Sequence, residues 1–157
     1  MRTTRPMAID RDATQTFPAG PITICVENRI VNDELLMEHL RRNQREWDGK
    51  LIEEDGGISV HVCDAITEDE YLRFDCFALR PHYHYITPIS DDIVFQQVTF
   101  RFDEAAHGPM LPWTFEAIRT RLDPMLREAG VVEFSIPAEE LEAAVIQAEL
   151  AVTEMLS

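Results

Sequence analysis

The chain has 157 residues, 45% of them hydrophobic and 27% charged, which is enough for one cored domain and unlike a disordered, collagenous or disulfide-dense chain. Twenty-nine acidic residues against fourteen basic ones give a formal charge of -15, a field that repels nucleic acid and anionic membrane surfaces. No apolar run reaches the roughly 18 residues of a membrane span, and the N-terminus lacks the continuous apolar segment of a secretory signal.

Three cysteines, Cys25, Cys63 and Cys76, form no CxxC pair and cannot all be paired within one chain. They fit reduced thiols in a cytoplasmic protein. Residues 1–20 read as a flexible N-terminal arm. With no repeat, low-complexity tract or Gly/Ser linker beyond them, residues 21–157 read as a single domain.

In chain order, residues 22–27 alternate with the period of a half-buried strand. Asn32 or Asp33 then caps a helix predicted to run to about Trp47, with Leu36, Leu40 and Trp47 on its buried side. Glu34 and Glu38 near its start and Arg41, Arg42 and Arg45 near its end complement the helix dipole. Asp55-Gly56-Gly57 reads as the turn of a hairpin between residues 50–54 and 58–64.

Residues 58–64, 71–78, 82–87 and 93–102 are β-rich and joined by short polar or Pro-containing connections, as in an antiparallel meander. Gln96-Gln97 marks an expected β-bulge in the longest of these runs. Pro112 suits the first turn of a helix that Asp123-Pro124 should kink and Gly130 should end. Val132, Phe134 and Ile136 alternate as a short edge strand would. The final helix, about 137–156, places Leu141, Val145, Ala148 and Val152 on one stripe. The expected fold is α+β: an antiparallel meander of five to seven strands, with an N-terminal helix and two C-terminal helices packed mainly on one face.

The chemistry concentrates in residues 72–85. With Leu79-Arg80 as a two-residue connection, Asp75 would face His84 and Phe77 would face His82. Leu72, Phe74, Cys76, Ala78, Tyr83 and Tyr85 then line an apolar side, and Arg73, Asp75, Phe77, His82 and His84 the other. The preceding strand divides likewise, with Ile58, Val60 and Val62 against Ser59, His61 and Cys63. His61, Asp75, His82 and His84 therefore form a candidate first shell for a divalent transition metal, because neutral imidazole and carboxylate donors suit zinc, iron, nickel or manganese. His107, in the segment 106–109, is a further candidate ligand.

Arg73 points to a second reading. Paired with Asp75 it would repel a cation, so that Arg73, Asp75 and His84 would instead hold a small polar ligand such as an organic carboxylate or phosphate. A third reading makes the histidine face a homodimer contact around Phe77, in a non-catalytic module or accessory subunit. Asp75 and His84 could also act as a metal-free acid/base pair. No reaction or substrate is legible in the sequence.

Overall fold

The computed structural model describes residues 6–88, 95–131 and 134–157. Within them lie the strands β1 (Gln15–Ala19), β2 (Ile22–Val31), β3 (Asp55–Asp64), β4 (Glu70–Phe77), β5 (His82–Pro88) and β6 (Phe95–Arg101). The helices are α1 (Asp33–Arg42), a one-turn α2 (Glu104–His107), α3 (Met110–Glu128) and α4 (Ala138–Met155). All six strands pair antiparallel in the order β1-β2-β3-β4-β5-β6, so neighbours in sequence are neighbours in space. The chain is α+β with an antiparallel meander, and no helix among the described residues is long and apolar enough to cross a membrane.

Several boundaries differ from those the sequence suggests. Residues 15–19, expected in the arm, form β1 and pair with the first half of β2. The Asp55-Gly56-Gly57 segment is no turn: it begins β3, with Gly56 opposite Ile30 and Gly57 opposite Arg29. Glycine is required there by close approach. A Cβ on Gly57, whose φ is +148°, would sit 2.4 Å from the Cys76 carbonyl oxygen, and one on Gly56 would sit 2.6 Å from that of Arg29.

α1 stops at Arg42, five residues before Trp47, and Gln44 follows with φ +54°. Asn32 caps it as expected, accepting from the Leu35 amide. No α1 residue is fully buried, and Trp47 is 43% exposed. The β5–β6 register runs unbroken through Gln96 and Gln97, so the expected bulge is not there. Of the residues in that run, Ile93 and Val94 lie outside the described ones, as does Val132 of the expected edge strand. Phe134 and Ile136 are irregular chain, half-buried, with the Phe134 ring edge-on to Tyr71.

The interior sits between the sheet and the two long helices. Ile24, Val26, Val60, Leu72 and Phe74 on one side of the sheet are fully buried with Ile118 of α3 and Val145, Ala148 and Val152 of α4. Each of these side chains larger than alanine contributes about 1.5–3 kcal/mol relative to exposure. Pro124 breaks α3, and the deviation falls three residues upstream, at Arg121 (φ -133°, ψ 15°). A proline lacks the N–H that would bond the carbonyl four residues earlier and crowds that carbonyl. Gly130, at φ +89°, follows the last turn as expected.

The other side of the sheet is not open. α1 lies across it, and residues 6–14 pack there through backbone groups: Arg42 donates to the Pro6 carbonyl (2.9 Å), Arg73 to Met7 (2.5 Å) and Arg29 to Ala8 (2.6 Å). The register predicts that Gly57→Ala overpacks the β3–β4 contact by about 2 kcal/mol. The thermal midpoint should drop by about 4–8 °C, whereas an unchanged midpoint would contradict this reading of the glycine pair.

Candidate functional site

Sidedness falls as the alternation requires, but the register between β4 and β5 does not. Asp75 faces His82, Arg73 faces His84 and Phe74 faces Tyr83. The connection contains Ala78–Pro81 rather than two residues. It is longer because Asp55 organises it: its carboxylate accepts from the Leu79 and Arg80 amides, both at 2.9 Å, and Ala78 donates to the Gly56 carbonyl. A shift of two residues preserves which side each residue faces. His82 thus lies directly opposite Asp75, with His84 diagonal to it.

Three side chains converge. His82 Nε2 lies 3.0 Å and His84 Nε2 3.4 Å from the same Asp75 oxygen, Oδ2. One donor atom from each of the three falls within 4.8 Å of the others. Each group is also held from behind. Ser59 donates to Asp75 Oδ1 at 2.5 Å, His82 Nδ1 lies 2.6 Å from the Arg80 carbonyl, and His84 Nδ1 lies 3.0 Å from Thr99 Oγ1. A carbonyl can only accept, so His82 Nδ1 carries a proton and Nε2 is the atom turned inward.

The side chains of Asp75, His84 and His82 are 6%, 11% and 22% exposed. Burial alone would raise the Asp75 carboxyl, but hydrogen bonds from His82 and His84 and the charge of Arg73 hold it well below its usual range. Burial also works against a charged His82, and Asp75 outweighs it, so this ring is raised. At His84 burial wins, helped by the nearby His82 and Arg73, and the ring is lowered.

His61 is elsewhere. Fully buried, it sits directly across from Arg73, yet its Nε2 meets Glu27 at 3.1 Å and its Nδ1 is hydrogen-bonded to Glu70. Both ring nitrogens are engaged, which separates it from the Asp75 cluster. Arg73 does not pair with Asp75 as expected; its Nε and Nη2 clasp the two Glu70 oxygens at 2.9 and 2.7 Å. Arg29 forms a 3.3 Å ion pair with Glu27. His107, exposed in α2, stacks near Phe102 and Trp113 and takes no part. Phe77, read as the centre of a subunit contact, is 6% exposed beneath the chain's own cover.

Burial alone would raise Glu70, but Arg73 and His61 outweigh it and hold this carboxyl at about 2. Burial alone would lower His61, but Glu70 and Glu27 raise it. Glu27 is likewise lowered against its burial by His61, Arg29 and Arg73. Glu27, Glu70 and Arg29 were not among the expected site residues. Parity places Glu70 with Leu72 and Phe74 on the apolar side. A bulge, in which Val62 pairs with Leu72 but Cys63 pairs with Glu70, carries it to the polar side.

A cavity of about 300 Å³ opens above the cluster. Arg29, Arg73, Asp75, His82 and His84 line it together with Met7, Val31, Leu36, Ile52 and Phe77. Its polar floor comes from the sheet and its apolar walls largely from the arm, α1 and the segment leading into β3.

The sequence matches the family model described as a domain of unknown function (DUF7700) over residues 16–156, and the chain belongs to that family. No curated protein and no solved structure matches it.

The ion pairs give opposite pH dependences. Glu70 lies below its ordinary 4.5, so its stabilisation is present above that pH and is lost as pH falls toward about 2. His61 lies above its ordinary 6.5, so its stabilisation is complete below pH 6.5 and fades as pH rises through the folded value. An NMR titration should find the His61 ring losing its proton above the ordinary 6.5; a ring neutral by pH 6 would contradict the two-carboxylate clamp. Arg73→Met leaves Glu70 buried without its guanidinium and should lower stability in urea unfolding by about 3–5 kcal/mol. A loss under 1 kcal/mol would show that Arg73 is dispensable to the clamp.

Proposed function

We propose that this DUF7700 chain binds one divalent transition metal through Asp75 Oδ2, His82 Nε2 and His84 Nε2, with the open side of the metal facing the cavity. The observation that carries the reading is the convergence of both Nε2 atoms on one carboxylate oxygen while each Nδ1 is held by an outside partner. Metal-bound imidazoles are oriented in this manner, since a partner on the far nitrogen fixes the tautomer and turns the lone pair inward. Two imidazoles and a carboxylate suit zinc, iron, manganese or nickel, and three protein donors leave positions for water or a ligand.

The expected four-residue set thus becomes three. His61 is committed to Glu27 and Glu70, and releasing it would leave two buried carboxylates without their shared cation. The small polar ligand of the second reading is compatible with the same site, because the cavity lies over the metal donors. We place the protein in the cytosol on the strength of its three free thiols, two of them buried.

Protein purified without a histidine tag and dialysed against zinc should retain about one equivalent by elemental analysis, and His84→Ala should lose it. Thr99→Val, at an exposed position on β6, should fold normally and weaken metal binding about 10–100-fold through loss of the Nδ1 partner. Wild-type protein that retains no metal would overturn the proposal. Catalysis that persists in chelator and disappears with His84→Ala would favour the metal-free acid/base pair instead.

A further inference from the structure

The polar face of the sheet buries charged groups of both signs beneath the cavity. Glu27, Asp55, Glu70 and Asp75 are its buried carboxylates, and Arg29, Arg73 and His61 are packed among them. A divalent cation on Asp75, His82 and His84 would add two positive charges to the cavity that Arg29 and Arg73 also line, a largely buried place where uncompensated charge is expensive.

Arg29 has capacity to spare. A guanidinium carries five N–H donors, and among the described residues this one makes a single side-chain hydrogen bond, Nη2 to the Ala8 carbonyl, beside its 3.3 Å ion pair with Glu27. No buried side-chain nitrogen or oxygen among the described residues lacks a partner. The unused donors of Arg29 thus open on the cavity it lines. The carboxylates that also line the cavity do not favour a cationic ligand. Both oxygens of Asp55 accept backbone amides, Glu53 is solvent-exposed, and Asp75 faces the imidazoles.

Resting on the metal reading above, we infer that the cavity takes a small organic carboxylate with an apolar body. Its carboxylate is placed between Arg29 and the metal, and its body lies against Val31, Leu36, Ile52 and Phe77. The volume of about 300 Å³ is at the small end for ligand cavities. An inorganic anion would leave the apolar walls unfilled, and a neutral molecule would leave the spare Arg29 donors without an anionic partner.

The test uses cobalt-loaded full-length protein, with phenylacetate and its uncharged isostere phenylacetamide as probes, followed by calorimetry and by the visible spectrum of the cobalt. Phenylacetate should bind at least about tenfold more tightly than phenylacetamide and should perturb the cobalt bands. Arg29→Gln should abolish the preference. Because that variant removes a buried charge and could unfold, the acid-to-amide ratio in the wild type decides the matter alone. Equal affinities, or no binding of either probe by protein holding one cobalt, would overturn the carboxylate inference and leave the metal reading standing. Protein that takes up no cobalt before any probe is added would overturn both.

Discussion

The Asp75 carboxylate is the group on which this structure turns. It is buried in the middle of a sheet, accepts from Ser59 on one oxygen and meets two imidazoles on the other. A carboxylate removed from water is costly unless its lone pairs are filled, and this one is filled from three directions. The neighbouring strand pairings follow from that requirement: β3 brings Ser59, β5 brings both histidines, and β6 brings Thr99 to the far side of His84.

Two sides of one sheet are thus stabilised by different physics. Toward α3 and α4 the side chains are aliphatic and aromatic, and their burial follows from the hydrophobic effect. Toward α1 and the arm, the buried residues include Glu27, Arg29, Asp55, Ser59, His61, Glu70, Arg73 and Asp75, held by charge pairing and directed hydrogen bonds. The second arrangement is the more demanding, because every group must have a partner. It is also the arrangement that can position donor atoms for a metal.

Much of the sheet was legible because a period of two is a strong signal. The division of Leu72, Phe74 and Cys76 from Arg73, Asp75 and Phe77 follows from alternation alone, and the stripe of α4 from the 3.6-residue helical period. Register was not legible, since it depended on the Asp55 carboxylate capping the connection before β5, twenty-four residues distant from Leu79 in sequence. Glu70 was hidden by the bulge, which reverses the side that parity predicts. Glu27 closes the expected 22–27 strand and Arg29 lies beyond it, and charged residues at such places read as exposed until something covers them. Of that cover, residues 6–8 make their contacts through backbone carbonyls, which leave no pattern of side chains to read. His61 joined the expected ligand set because sidedness was visible and its committed partners were not.

The site is most directly tested by locating the metal. Crystals grown with zinc and measured across its absorption edge should show one anomalous peak about 2.0–2.2 Å from Asp75 Oδ2, His82 Nε2 and His84 Nε2, with His61 remote from it and still between its glutamates. A peak bound through His61 and Glu70, or zinc confined to surface carboxylates, would contradict the account.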